Sequence, residues 1–327
     1  MTAHPVIRVV AAALPGVAAV GVLWQALASR RDRRRFPPPG RMVDVGGHRL
    51  HAHVVGEFTS LPTVVLEAGM ASMSSNWAWV RDALARDGRV VCYDRAGLGW
   101  SERGSAAMDA AASAEQLHLL LAAAGVGPPY VLAGHSYGGL VVRMFADRYP
   151  AEVVGVALVD ASHPDQWIHV PASRGGRTVA MGNRVAAVLA CFGLLRLFHL
   201  ERSFIAGLPA REHAEMRAYL ARPQGWAAGA NGLMAWADSR DQVNAAGGLG
   251  SLPVVVLSVT EQDRYARVLT RLQAELATLS ADSRHITVTG ATHYTLVSER
   301  RHAVVVADAI RAVITAAQSG RCVAELI

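Results

Sequence analysis

Lysine is absent from this sequence of 327 residues, and all 32 basic side chains are arginine. Schiff-base enzymes, pyridoxal-phosphate enzymes and P-loop nucleotide-binding proteins each need a lysine amine as nucleophile, anchor or phosphate ligand. The absence of lysine therefore excludes these three kinds of site.

Cysteine is also scarce. The three cysteines, Cys92, Cys191 and Cys322, are far apart and show no Cys-x-x-Cys or other metal-ligand spacing. Neither a disulfide framework nor a metal site is predicted. Hydrophobic residues make up 52% of the chain and charged residues 18%, which excludes disorder for most of it. The length suits one large α/β domain or two average domains.

The net charge of +6 does not indicate a nucleic-acid partner. The arginines are spread along the chain, and a single cluster stands apart from the rest. It consists of Arg30, Arg31, Arg33, Arg34 and Arg35. One cluster beside an apolar segment is typical of a juxtamembrane flank.

That apolar segment, residues 9–29, contains 21 residues without a charge. About 20 apolar residues are needed for a helix to cross a bilayer, so we expect a transmembrane anchor over residues 1–35. Because the arginines follow the segment, the positive-inside tendency predicts a catalytic domain on the cytoplasmic side. The alternative is export after signal cleavage near Ala26-Leu27-Ala28, although the charge order is the reverse of a signal peptide's.

From residue 63 onward, short valine-rich apolar runs alternate with helical patterns. The runs are Thr63–Leu66, Val90–Tyr93, Tyr130–Ala133, Val153–Val159, Val254–Leu257 and Ile286–Val288. Runs that are apolar throughout are typical of parallel strands buried on both faces. The sequence predicts an α/β fold with a mostly parallel sheet flanked by helices, preceded by an edge hairpin from residues 42 to 55.

One interval breaks this alternation, because about 90 residues separate Asp160 from Pro253. The connection between two neighbouring parallel strands is normally much shorter than this. Helical patterns over Val185–Leu200 and Arg211–Leu220 indicate an inserted helical cap. The predicted division is an anchor at 1–35, a first part of the core at 36–162, the cap at 163–250 and a second part of the core at 251–327.

The segment Gly134-His135-Ser136-Tyr137-Gly138 places the pattern G-x-S-x-G between a predicted strand and a predicted helix. In that context the serine occupies a sharp turn that projects its hydroxyl above the sheet. Side chains at the two glycines would collide with neighbouring backbone. We therefore predict that Ser136 is a nucleophile.

Together with two other segments, this pattern resembles the α/β-hydrolase fold family from Arg41 to Ala317. Thr63–Met70 resembles the strand and oxyanion loop, with Ala68-Gly69 where family members usually have His-Gly. Tyr93–Ser101 resembles the family's D-R-x-G-x-G-x-S loop. The resemblance implies an α/β-hydrolase fold with a helical cap after the sixth strand, and a chemistry that needs no cofactor or metal.

The resemblance also implies the chain order nucleophile, acid, histidine. His293, on the loop before the last predicted helix, is the expected base. The acid is either Asp160, at the end of the strand before the cap, or one of Glu261 and Asp263 after the next strand, and we favour Asp160. The backbone N–H groups of Met70 and Tyr137 are the expected oxyanion donors.

We expect acyl transfer through an acyl-Ser136 intermediate, with a small-molecule ester that carries a hydrophobic acyl group as substrate. A serine nucleophile argues against the dehalogenase and epoxide-hydrolase branches, which need a carboxylate. An acyltransferase or an aminopeptidase on the same scaffold stays open as an alternative. From a different class, a non-catalytic membrane-tethered binding protein is the remaining alternative.

Overall fold

Eight strands form one sheet in the computed structural model, which describes residues 5–105, 107–169, 172–199, 202–260 and 266–327. They are β1 (Arg41–Asp44), β2 (Arg49–Val55), β3 (Thr63–Glu67), β4 (Val90–Tyr93), β5 (Tyr130–His135), β6 (Val153–Val159), β7 (Val254–Val259) and β8 (Ser283–Val288). The spatial order is β1-β2-β4-β3-β5-β6-β7-β8. The pairs β1/β2 and β2/β4 are antiparallel and the others parallel, which confirms the predicted sheet and edge hairpin.

Twelve helices lie in the described residues. They are α1 (Pro5–Arg35), α2 (Ala78–Leu84), α3 (Ala110–Ala123), α4 (Gly138–Arg148), α5 (Gly176–Cys191), α6 (Leu194–Phe198), α7 (Ala210–Leu220), α8 (Pro223–Met234), α9 (Trp236–Ala245), α10 (Ala266–Ala277), α11 (Thr295–Ser298) and α12 (Arg300–Ser319). Short 3-10 turns join several of them.

The apolar runs fill both faces of the sheet. Leu132 of β5 belongs to a core layer with Phe145 of α4, whereas its neighbour Val131 belongs to the opposite layer with Val313 of α12. Successive side chains of a strand point to opposite faces, so a strand covered by helices on both sides is apolar at every position. This explains why the strand pattern does not alternate.

Five helices, α5 to α9, lie between β6 and β7 and form the cap after the sixth strand. The helix predicted over Val185–Leu200 begins earlier, at Gly176, and is interrupted at Gly193, whose φ of +76° ends one helix before the next begins. The helices α8 and α9 were not predicted, since α8 is rich in glycine, which weakens the helical pattern. The division at residues 162 and 250 stays a prediction.

The predicted membrane anchor is wrong. Within the described part of the chain, no helix combines the length and the apolar character that crossing a membrane requires. Instead, Gln25 and Ser29 of α1 are buried, and Gln25 Nε2 donates to Ala221 O at 2.8 Å. Asp32 accepts from Arg196 Nη2 at 2.7 Å. These polar side chains pack α1 against the cap, and the localisation that was predicted from the anchor loses its basis.

Candidate active site

Ser136 lies in the sharp turn between β5 and α4 with a φ of +55°, a left-handed conformation that few residues with a side chain adopt. The flanking glycines permit this turn. A Cβ at Gly134 would lie 2.5 Å from Gly138 O, and a Cβ at Gly138 would lie 2.5 Å from Glu67 O. Both contacts involve backbone that cannot move aside, so the turn requires glycine at these two positions.

Asp160 and His293 form a hydrogen-bonded pair. His293 Nδ1 lies 2.6 Å from Asp160 Oδ2, and Val259 N donates to Asp160 Oδ1 at 3.4 Å. Because a carboxylate only accepts, Nδ1 carries the proton, which leaves the lone pair of the neutral ring on Nε2. Burial alone would raise the pKa of Asp160, but its contacts with His293 outweigh burial and lower the pKa below its ordinary value. Asp160 is therefore an ionised acceptor for His293.

His135 supports the loop that carries His293. Its Nε2 lies 2.9 Å from His293 O, so Nε2 carries the proton and donates. The two rings are 4.6 Å apart between centroids. Burial, reinforced by the charge of His293, lowers the pKa of His135 to about 3. At neutral pH His135 is thus a neutral imidazole, and it contacts the backbone of His293 without competing for a proton.

A single cavity of about 690 Å³ brings the predicted residues together. Its lining includes Ser136, Asp160, His293, Met70 and Tyr137. The alternative acids Glu261 and Asp263 lie outside the described residues. In the described part of the chain, no group of three or more His, Cys, Asp or Glu side chains is arranged to hold a metal ion.

Aromatic side chains form much of the cavity wall. They are Trp167, Phe204, Trp226, Trp236 and Tyr294. The rings of Trp167 and Trp236 are 5.6 Å apart and those of Phe204 and Tyr294 4.9 Å apart. Among the described lining residues, Asp160 is the one carboxylate and no arginine is present. The cavity suits an uncharged, largely apolar molecule.

Arg95, which lies beneath the loop at Gly69, was not predicted from the sequence as a site residue. Arg95 Nη1 donates to Ala68 O at 2.5 Å, and its Nη2 donates to Gly69 O at 2.6 Å and to Met70 O at 3.0 Å. The signal was present in the sequence, because Arg95 belongs to the D-R-x-G-x-G-x-S segment. Its partners could not be predicted from that segment alone.

Solved structures resemble this fold closely. A thermophilic esterase from Thermogutta terrifontis matches with a TM-score of 0.61 and 22% identity, over 84% of this chain and 98% of the esterase. A putative lipase from Acinetobacter baumannii matches with a TM-score of 0.65 and 18% identity, over 91% of this chain and 97% of the lipase. At these identities the likeness concerns the fold.

An AB hydrolase superfamily protein from Gibberella zeae is 37% identical over 105 residues, which cover 31% of this chain and 33% of that protein. The chain spans between 20% and 41% of the length of this and two other curated relatives. The model of the alpha/beta hydrolase fold family matches residues 62–297, well over half of the sequence. Together with the sheet order and the capped cavity, this match shows that the chain belongs to the α/β-hydrolase fold family.

Proposed function

We propose that the protein is a serine hydrolase that cleaves a carboxylic ester through an acyl-Ser136 intermediate. The observation that carries this proposal is the Asp160–His293 hydrogen bond of 2.6 Å at a cavity that Ser136 also lines. A serine hydroxyl is a weak nucleophile at neutral pH and needs an imidazole to take its proton. The pair supplies that imidazole in the tautomer that accepts through Nε2.

In the first step, Ser136 Oγ attacks the ester carbonyl carbon while its proton passes to His293 Nε2. The carbonyl electron pair moves onto oxygen, and the N–H groups of Met70 and Tyr137 stabilise the oxyanion. Preorganised donors of this kind each contribute about 10²- to 10³-fold in rate. The intermediate collapses, the bond to the alcohol oxygen breaks, and the leaving alkoxide takes the proton from His293. Asp160 stabilises the transient imidazolium.

In the second step, a water molecule attacks the acyl carbon and gives one proton to His293 Nε2. Collapse of the second tetrahedral intermediate breaks the bond to Ser136 Oγ, which regains the proton from His293. The acid leaves and the enzyme returns to its starting state. The sum of the two steps is an ester plus water giving an acid plus an alcohol.

The wall of the cavity supports an uncharged substrate with an apolar acyl or aromatic group. When an apolar group of the substrate is buried against these aromatic side chains, the free energy gained is about 25 cal/mol per Å² of apolar surface. A charged group placed there would lose its hydration without gaining a partner of opposite charge among the described lining residues. Neutral esters are therefore the first substrates to test.

The test is labelling with a fluorophosphonate probe, followed by mapping of the modified residue by mass spectrometry. Wild-type protein should be labelled at Ser136 and should hydrolyse 4-nitrophenyl esters, and Ser136→Ala should do neither. Incubation with an added alcohol distinguishes hydrolysis from acyl transfer, because a transferase would release the new ester as its main product.

Ser258→Ala is the matched control. Ser258 is buried, and its Oγ lies 2.8 Å from His285 Nε2, so it provides a serine–histidine contact outside the cavity lining. This variant should be labelled like wild type. Labelling that survives in Ser136→Ala, or that moves to Ser258, would contradict the proposal.

A further inference from the structure

We propose that Arg95 is a positioning residue that orients the Met70 N–H toward the developing oxyanion. This inference rests on the proposed function, since it concerns the oxyanion donors of that reaction. Arg95 is buried beneath the loop of residues 68–70 and does not line the cavity that contains Ser136. It therefore acts on the reaction through the loop backbone.

The guanidinium has an acceptor for each of its four terminal N–H bonds. Nη1 donates to Glu67 Oε1 and Ala68 O, and Nη2 donates to Gly69 O and Met70 O. Three of these acceptors are successive backbone carbonyls of one loop. Carbonyls of an extended chain point in alternating directions, so their convergence on one cation requires a particular loop conformation.

The peptide group between Gly69 and Met70 links this contact to the cavity. It is planar and trans, so its C=O and N–H point in opposite directions. Because Gly69 O points to Arg95 Nη2 at 2.6 Å, the Met70 N–H points away from Arg95. Gly69, Met70 and Ser136 all line the cavity, whereas Arg95 does not. The contact that fixes the carbonyl thus also fixes the direction of the donor.

Glu67 makes the buried cation possible. Its carboxylate is fully buried, pairs with Arg95 and accepts from Tyr93 OH. Burial would lower the pKa of Arg95, but the charge and hydrogen bond of Glu67, together with Tyr93 and Tyr137, outweigh burial and raise it, so the guanidinium stays charged. Because Glu67 balances the positive charge of Arg95, the buried guanidinium can donate strong hydrogen bonds to the loop carbonyls, and these bonds stabilise one conformation of the loop.

Lysine cannot reproduce this arrangement. Its ammonium is a compact point charge with three N–H bonds, whereas the planar guanidinium presents its N–H bonds in a fixed fork. Arg95→Lys keeps the charge opposite Glu67 and so protects folding, but it cannot contact Glu67 and all three carbonyls together. We expect Arg95→Lys to lose about 10²-fold in kcat, the scale of one oxyanion donor, with KM changed less than about threefold.

The experiment compares Arg95→Lys and Arg95→Ala with Arg311→Ala as matched control. Arg311 also contacts two carboxylates and a backbone carbonyl, but it lies on α12 away from the cavity. Three measurements are made on each protein: kcat and KM with a 4-nitrophenyl ester, hydrogen–deuterium exchange of residues 67–72, and rescue of kcat by millimolar guanidinium. We expect faster exchange in both Arg95 variants only, and rescue in Arg95→Ala only.

The outcomes separate this inference from the proposed function. If wild-type protein is not labelled at Ser136, the proposed function fails, and the exchange of residues 67–72 still tests the positioning role. If Arg95→Lys retains kcat within about threefold of wild type, or if its loop exchanges no faster than in Arg311→Ala, the positioning role is wrong. If the loss of kcat in Arg95→Lys is no larger than the loss in Arg311→Ala, the positioning role is likewise overturned.

Discussion

His293 Nδ1 lies 2.6 Å from Asp160 Oδ2, although 133 positions separate the two residues in the chain. The parallel sheet brings them together, because Asp160 directly follows β6, His293 lies in the loop after β8, and β6, β7 and β8 are parallel neighbours whose carboxyl ends share one edge. A buried carboxylate at this distance fixes both the tautomer and the orientation of the imidazole. The contact supports Asp160 as the acid of the proposed triad.

Replacing Asp160 by Asn should lower kcat by about 10⁴-fold, because an amide permits the wrong tautomer of His293. The expected KM change is small, since the amide side chain occupies nearly the same volume as the carboxylate it replaces. Steady-state kinetics with a 4-nitrophenyl ester measures both constants. Glu261→Gln and Asp263→Asn are the controls, and each should retain kcat within about threefold of wild type. A 10⁴-fold loss in either control, with an active Asp160→Asn, would assign the acid to that residue.

The sequence predicted this site only in part, for a physical reason. Ser136 and its glycines are required by local backbone crowding, which leaves a signature within five residues. The acid has no such signature, because the parallel strands β6 and β7 end at the same edge of the sheet and a carboxylate that follows either strand in the sequence satisfies the same chain order. Arg95 was missed because its role depends on carbonyls of residues 68–70, which have no side-chain pattern. A short sequence motif does not indicate which backbone groups, distant in the chain, a side chain will contact.

The buried pair of His51 and Asp94 predicts a pH dependence of stability. His51 Nδ1 lies 2.9 Å from Asp94 Oδ2, and its Nε2 contacts Pro39 O. Both partners are acceptors, so both ring nitrogens donate and the imidazole is charged. Burial would lower the pKa of His51, but the charge and hydrogen bond of Asp94 outweigh burial and raise the pKa above 6.5.

A raised pKa stabilises the fold fully below the unfolded value of about 6.5, and this stabilisation is lost as pH rises toward the folded pKa. The free energy of unfolding of wild type should therefore fall as pH increases above 6.5 by more than that of His51→Gln. Urea unfolding across this range measures the difference. Asp94→Asn should flatten the dependence in the same way. Parallel curves for wild type and His51→Gln would show that folding does not change the pKa of His51, which would contradict this prediction.

Trp167 should limit the length of the acyl group. It lines the cavity beside Trp236, and its Nε1 has no hydrogen-bond partner among the described residues, so truncation removes volume without breaking a hydrogen bond to any of them. Trp167→Ala should shift the preference toward longer esters, with each added methylene that fits contributing about 0.8 kcal/mol, or about fourfold in kcat/KM. A series of 4-nitrophenyl esters of increasing length measures this shift.

Trp79→Ala is the matched control for that series, since Trp79 does not belong to the described lining of the cavity and donates to Gly207 O at 2.8 Å. Its length preference should equal that of wild type. If kcat/KM depends on ester length in the same way in Trp167→Ala, Trp79→Ala and wild type, the acyl group binds elsewhere in the cavity.

The prediction that α1 spans a membrane was wrong because it was based only on the length of the apolar run and its lack of charge. Among the described side chains of α1, those of residues 15–35, the buried ones are Gln25 and Ser29, whereas Val20, Leu23 and Leu27 are exposed. The spacing of Gln25, Ser29 and Asp32, four and three residues apart, is that of one helical face, so the signal was present in the polar residues. An interpretation based on the apolar residues overlooked the face that contacts the cap.

The contact of α1 with the cap should stabilise the protein. Gln25 Nε2 donates to Ala221 O, and a Cβ at Gly21 would lie 2.8 Å from Phe192 O, so α1 approaches the cap backbone closely. Gln25→Ala removes the hydrogen bonds that Gln25 Nε2 donates to Ala221 O and Ser29 Oγ and the one that Gln25 Oε1 accepts from Arg196 Nε. Because the buried Ala221 carbonyl loses this donor, the free energy of unfolding should fall by about 1–3 kcal/mol. Leu27→Ala, on the exposed side of the same helix, should change it by less than about 0.5 kcal/mol. Urea unfolding of both variants tests this contrast, and a loss in Leu27→Ala that equals or exceeds the loss in Gln25→Ala would mean that the apolar face of α1, not its polar face, is the one that packs.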